Sequence, residues 1–207
     1  MSRVFAEMSI SLDGFITGPD HSLKLPLGRG GEKLHEWIYQ LASWRELHGL
    51  DGGEQNPEAE LLAAHNSRTG AVILGKTMFD HGSPFWGEEP PFHIPVFILT
   101  TESLPPEVKR GGTTYTFVKE GIEAALRLAK EAAGTKDVKV AGGAKAIQQF
   151  LRAGLLDEIL ISQVPILLGG GERLFNDLED SIASTFINTE ILKSAEVIHL
   201  RYDIQHD

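Results

Sequence analysis

Apolar positions along this chain follow two periods. Val4 to Leu12 alternates and is rich in β-branched residues, and the Asp13-Gly14 pair behind it favours a turn, so the chain opens on a strand. Ala71-Val72-Ile73-Leu74 is short, wholly apolar and bounded by glycines, as in a strand buried on both faces. Pro95 to Leu99 repeats that pattern, and Tyr115 to Val118 and Val138 to Ala141 read as two further strands. Between them the spacing becomes helical. Leu34, Trp37, Ile38 and Leu41 predict a helix over Glu32 to Glu46, and Asn56-Pro57 starts one over Pro57 to Arg68 that Gly70 stops. Ile122, Leu126 and Ala129 mark a helix ended by Gly134, and Ile147, Phe150 and Leu151 one ended by Gly154.

Strands alternating with helices argue for βαβ units around a largely parallel sheet. The ending differs, because Glu158 to Leu168 is β-rich until Pro165 breaks it. Thr185 to Leu192 and Ile198 to Ile204 then predict a terminal antiparallel pair. No repeat or linker separates two cores, so one α/β domain over residues 1–207 is expected.

Composition narrows the chemistry. With 207 residues, 42% hydrophobic and 23% charged, the chain has enough apolar side chains for a sizeable core. At this length roughly 70% of the extended surface is buried on folding. The absence of Cys excludes a disulfide scaffold, thiolate metal centres and a Cys nucleophile, and suits a reducing cytoplasm. Nineteen Lys and Arg against twenty-nine Asp and Glu give a net charge of −10, which repels polyphosphate backbones and anionic lipid, so neither nucleic acid nor membrane is an expected partner. The N-terminus meets Glu7 at once and no apolar run suits a membrane span, so the chain reads as mature cytoplasmic protein. Eight scattered histidines show no ligand spacing, and no metal site is expected.

Three glycine clusters could carry chemistry. Gly70-Ala71-Val72-Ile73-Leu74-Gly75-Lys76-Thr77 matches the P-loop expression, but its middle residues are the predicted strand, and amides engaged in a ladder cannot cradle phosphate. At the carboxyl end of that strand, Gly75-Lys76-Thr77 would offer close backbone approach, a point charge and a hydroxyl to a ligand, or simply a capped turn. Ala141-Gly142-Gly143-Ala144-Lys145 places a strand, two glycines and a helix start together, where a pyrophosphate fits. Thr100-Thr101 ends the intervening strand at the same sheet edge. Leu168-Gly169-Gly170-Gly171 implies either a sharp bend or close passage of another backbone or ligand. The Gly- and Pro-rich stretch from Thr17 to Gly31 is either a plain surface loop or one that folds over a ligand.

The order of these parts resembles the dihydrofolate reductase-like superfamily, in the branch of the C-terminal reductase domain of the riboflavin-biosynthesis protein RibD. The residues are Ser11-Leu12-Asp13-Gly14-Phe15-Ile16, Leu74-Gly75-Lys76-Thr77-Met78-Phe79, Val140-Ala141-Gly142-Gly143, Leu155-Leu156-Asp157-Glu158-Ile159 and Pro165-Ile166-Leu167-Leu168-Gly169-Gly170-Gly171. The resemblance spans about Val4 to Tyr202. It implies a dihydrofolate reductase-like mixed, mostly parallel sheet flanked by helices, and a reductase taking hydride from NADPH to a small heterocyclic substrate of pterin or riboflavin-precursor type. By the same resemblance Gly75, Lys76 and Thr77 would meet the adenosine-side phosphates, with Thr100 and Thr101 beside them. Gly142, Gly143, Ala144 and Lys145 would hold the pyrophosphate. Ser9 and Ile16 would line the nicotinamide, with residues 17–31 as lid, and Asp13 would orient substrate or supply a proton.

One departure bears on substrate. Aligning on Trp37-Ile38 puts Leu34 where dihydrofolate reductases carry the pterin-anchoring acid, with Glu32 and Glu36 expected to point elsewhere. That argues against dihydrofolate itself. No zinc-binding Cys pair accompanies the reductase pattern, so the deaminase half of the riboflavin enzyme is not expected in this chain. Residues 48–60 read as a solvated acidic insertion. A non-catalytic nucleotide-binding module and a P-loop nucleotidase remain as other readings. The edge of the strand around Ile198 to Ile204 would need cover, and a homodimer is expected.

Overall fold

In the computed structural model, which describes residues 2–176, 178 and 184–206, the strands are β1 (Val4–Ser11), β2 (Thr69–Gly75), β3 (Pro95–Leu99), β4 (Glu107–Val108), β5 (Thr114–Val118), β6 (Asp137–Gly142), β7 (Glu158–Val164), β8 (Ser184–Lys193) and β9 (Ile198–His206). They form one sheet in the order β4-β5-β3-β2-β6-β1-β7-β9-β8. Pairs from β5 through β3, β2, β6 and β1 to β7 are parallel, while β4 on β5, β9 on β7 and β8 on β9 are antiparallel. The expected mixed, mostly parallel sheet with a terminal antiparallel pair is the observed one.

The helices are α1 (Ala42–Leu47), α2 (Pro57–Arg68), α3 (Lys76–Trp86), α4 (Ile122–Ala133) and α5 (Ala144–Arg152). The apolar stripe of α4, with Ala125 and Ala129 fully buried, joins Ile147 and Phe150 of α5 against Val4, Ala6, Ile73, Val138 and Val140 of the sheet. Alternation sends the intervening residues to the other face, where Val72, Leu74, Val96 and Ile98 meet Phe79 of α3. That second face is only partly roofed, by α3 and by the segment from residue 17 to α2, and the gap becomes the cleft.

Local signals explain most boundaries. The Asn56 side chain accepts from the Ala59 amide at 2.9 Å and Pro57 stands at the first helical position, so α2 starts and ends as predicted. Its stop is not Gly70. The Thr69 hydroxyl donates to the His65 carbonyl at 2.6 Å, and β2 begins at Thr69 itself. Gly70 lies within the strand, where a Cβ would come within 2.8 Å of Ala133 Cα, so its glycine serves close helix-to-strand packing. Residues 71–74 pair with β3 and β6, and their amides belong to the sheet rather than to a P-loop.

The helix expected over Glu32 to Glu46 breaks into two 3-10 turns, Gly31–Leu34 and Glu36–Ile38, followed by the short α1. Its apolar residues serve two different clusters. Leu34 packs with Val164 and Val197, whereas Leu41 packs with Ala59 and Leu62 of α2. Leu41 itself is extended (ψ 134°), which lets the chain turn from one cluster to the other. The strand expected to be open, β9, is paired on both sides, and the edge falls instead to β8.

Candidate active site

The carboxyl ends of β1, β2, β3 and β6 lie along one edge of the parallel sheet, and a cleft of about 910 Å³ opens there. Its floor is the face of the sheet carrying Glu7, Ser9, Lys139, Ala141 and Ser162. One wall comes from α3 through Thr77, Met78, His81 and Trp86, and the opposite one from Glu32, His35, Trp37 and Tyr39. Trp37, Trp44 and Trp86, all three tryptophans of the chain, line it. Aromatic walls of this kind suit a planar ring.

The loop over residues 17–31 borders one end. Thr17, His21, Pro26 and Leu27 line the cleft, so residues 17–31 lie where a lid would. The third glycine cluster is explained by close passage of another backbone. A Cβ at Gly171 would lie 2.0 Å from the Thr17 carbonyl oxygen. The Ile16 amide donates to the Glu172 carbonyl at 2.8 Å, and the Glu172 amide donates to Thr17 Oγ1 at 3.1 Å.

Ser9, Ile16, Thr77 and Gly143 of the sequence-predicted residues line the cleft. Gly75 packs against the Gly142–Gly143 turn, with its absent Cβ 3.6 Å from the Gly143 nitrogen. Neither α3 nor α5 has a capping side chain, so the first-turn amides next to Lys76, Thr77, Ala144 and Lys145 face the end of the sheet uncapped. Such a pair of helix starts fits the phosphates of a dinucleotide. Lys76 Nζ lies 2.7 and 2.8 Å from the two carboxylate oxygens of Asp80. Thr100 Oγ1 accepts from the Glu102 amide at 3.0 Å, and Thr101 is exposed beside it. Lys145 is exposed, while Gly142 and Ala144 are buried beneath the turn.

Asp13 is not among the cleft-lining residues. Its carboxylate accepts from Ser11 Oγ at 2.6 Å and from the amides of Leu168 and Gly169 at 3.2 and 2.8 Å. The Ser11 hydrogen bond, helped by these amides against partial desolvation, holds its pKa down at about 2. Leu34 is fully buried outside the cleft, as its apolar character requires. Glu32 lines the cleft, contrary to its expected direction.

Sequence reasoning missed the polar floor. Glu7 Oε2 accepts from Lys139 Nζ at 2.5 Å, and Glu7 Oε1 lies 3.4 Å from His65 Nδ1. Burial pushes this carboxyl up, but Lys139 and the hydrogen bonds outweigh it, and Glu7 stays well below the usual carboxylate range. Arg201 Nη2 stands 3.0 Å from His65 Nε2; since guanidinium only donates, His65 accepts there and donates from Nδ1 to Glu7. Further along, Ser162 Oγ lies 2.9 Å from His199 Nδ1, and His199 Nε2 lies 2.9 Å from Glu58 Oε1. Burial lowers the pKa of His35 on the opposite wall. The available signal was polar residues at inward positions of otherwise apolar strands.

A mixed, mostly parallel sheet flanked by helices, with an antiparallel terminal pair, is the dihydrofolate reductase-like fold. Within it the family is specific: the model of the RibD C-terminal domain matches residues 2–200, and this chain belongs to that family. It is similar to the uncharacterized protein YwjB of Bacillus subtilis, 30% identical over 194 residues covering 93% of each chain. Among solved structures it is similar to a candidate riboflavin biosynthesis protein of Shewanella sp. PV-4, with TM-score 0.68, 21% identity and 99% of each chain covered. It is also similar to the diaminohydroxyphosphoribosylaminopyrimidine deaminase/5-amino-6-(5-phosphoribosylamino)uracil reductase of Thermotoga maritima, with TM-score 0.58 and 14% identity, covering 98% of this chain and 56% of that one. Among the described residues no group of three His, Asp or Glu side chains is placed to hold a metal, and no helix is long and apolar enough to cross a membrane.

Proposed function

We propose that this chain is an NADPH-dependent reductase acting on a small heterocycle related to the pyrimidine precursors of riboflavin. The observation that carries this reading is one cleft joining Ser9 and Ile16 to Thr77 and Gly143, with uncapped helix starts at the phosphate end. Its volume of about 910 Å³ accommodates a cofactor ring beside a substrate ring. NADPH would supply the hydride. The chain's own residues bind, orient and exclude water. The α3 and α5 starts would hold phosphate, Lys76 would leave Asp80 for the 2′-phosphate, and Thr100 and Thr101 would lie alongside.

Glu7 and Lys139 on the floor present an acceptor and a donor side by side, which match the N–H and C=O edge of a pyrimidinedione. Trp37 and Trp86 offer flat apolar surface for its ring. The lid over residues 17–31 would shield the reaction from water. Asp13 serves by holding the turn after β1 against the 168–169 backbone, which positions Ser9 and Ile16.

The test is quenching of tryptophan fluorescence by NADPH and by NADH, followed by turnover of 5-amino-6-(5-phosphoribosylamino)uracil. Tight NADPH binding that weakens by about 1.5–3 kcal/mol in Lys76→Ala, with the NADH affinity unchanged, is the expected result. A protein that binds neither nucleotide overturns the reading.

A further inference from the structure

We propose that Ser162, His199 and Glu58 form an acid triad that delivers the proton of the reduction, an inference that rests on the reductase reading above. Hydride alone leaves the substrate's heteroatom negatively charged, so a proton must come from the protein or water. Asp13 lies outside the cleft lining, and Glu7 is held ionised by Lys139. Neither has a proton to give.

Ser162 does have a route. In the sheet register Ser9 of β1 faces Ser162 of β7, and Ser162 faces His199 of β9. Three polar residues therefore run in one row across the apolar sheet, starting at the residue proposed to line the nicotinamide. Ser162 and His199 are each only 1% exposed, and Ser162 lines the cleft. Buried polar groups so placed need partners, and these have each other: Ser162 Oγ to His199 Nδ1 at 2.9 Å, and His199 Nε2 to Glu58 Oε1 at 2.9 Å.

The carboxylate fixes the polarity. Glu58 sits in the first turn of α2, where the helix dipole favours negative charge, and it accepts from Nε2–H. In the imidazolium form Nδ1–H then donates to Ser162 Oγ, and the serine's own hydrogen is free to point into the cleft. The edge of the Trp37 ring packs on the imidazole at 4.9 Å between centroids and holds its plane.

The groups facing His199 are Ser162 from β7, Glu58 from α2 and Trp37 from the Glu36–Ile38 turn. The next residue on the same face of β9 is Arg201, which is engaged by His65, Glu190 and Glu158. Beyond His65 lie Glu7 and Lys139, paired with each other.

The step balances. The hydride would be supplied by NADPH, which would leave as NADP⁺. A substrate C=N or C=O carbon gains a C–H bond, and its heteroatom takes the proton from Ser162 Oγ. His199 Nδ1–H restores the serine hydroxyl, leaving neutral imidazole with its remaining proton on Nε2, donated to the Glu58 carboxylate. Water reloads His199 through Ser162 when the cleft opens between turnovers. Ser162 is the catalytic residue here, and His199 and Glu58 act through it.

Two measurements test this on the intact protein. In ligand-free protein, nitrogen-15 NMR of the histidine rings should show neutral His199 with its proton on Nε2. Its titration should move down by about one pH unit or more in Glu58→Gln. A proton on Nδ1 in the neutral ring, or a titration indifferent to Glu58→Gln, overturns the triad whatever the cofactor.

With NADPH and 5-amino-6-(5-phosphoribosylamino)uracil, kcat should fall as pH rises through that titration. Ser162→Ala should lower kcat by ~10²-fold or more and abolish the pH limb, while NADPH quenching of fluorescence is unchanged. Glu58→Gln, at a part-exposed site, should keep its fold and shift the limb to lower pH. Identical pH–rate profiles in wild type and Ser162→Ala overturn the proposal with the reductase reading intact. Loss of NADPH binding in wild type overturns the reductase reading and the proton delivery with it. If NADPH binds but this pyrimidine is not reduced, only the choice of substrate fails, and the NMR result decides the triad.

Discussion

At the scale of single residues, two carboxylates show how environment assigns a role. Asp13 is held at about 2 by Ser11 and two loop amides, below its ordinary 3.8. Its folded-state pKa is depressed, so the stability it contributes is fully present above 3.8 and is lost as pH falls through about 2. Asp13→Asn should lower the melting temperature at neutral pH, and calorimetry should find the gap between variant and wild type closing as pH approaches 2. Glu7 on the cleft floor binds Lys139 beside it and His65 of α2. Glu7→Ala leaves Lys139 without its carboxylate and should cost about 3–5 kcal/mol in urea unfolding, of which Glu7→Leu combined with Lys139→Met recovers a large part. His35 adds a second pH dependence: burial depresses its pKa, so the stability tied to its neutral form is present above 6.5 and drains away as pH falls below that value.

At the scale of elements, a segment was legible where its apolar residues serve one cluster. The stripe of α4 and the cap of α2 did so, and Asn56→Ala should cost about 0.5–2 kcal/mol in thermal or chemical unfolding, because the Ala59 amide loses its acceptor. Residues 32–46 were not legible, since Leu34 and Leu41 answer to different clusters and no periodicity records that division. The glycine-ended strands marked one end of the cleft, at Thr77 and Gly143, because a local run of strand, glycine and helix carries its own geometry. The polar floor stayed hidden for the opposite reason. Glu7, Lys139 and Ser162 on the floor, and His199 behind Ser162, come from four strands, each reads alone as a solvent-facing position, and only the sheet order brings them together.

At the scale of the whole molecule, the sheet ends on β8, ten residues long and, among the described residues, paired on one side only. Phe186, Ile187 and Ile191 stand exposed on it, Ile191 at 63%. An edge of that length needs cover, and a homodimer through β8 is the expected outcome. Light scattering at micromolar concentration should give twice the chain mass, and Ile191→Lys should shift it toward the monomer; a monomeric wild type would remove the expectation. The seam between the lid and the Gly169–Glu172 run has a consequence for motion. Ile16 is tied to Glu172, Glu172 to the Thr17 hydroxyl and Leu174 to Gly14, so the segments share one set of hydrogen bonds. They are expected to open as a single cooperative unit, and hydrogen exchange at the amides of Ile16, Glu172 and Leu174 should slow in concert when the cleft is filled.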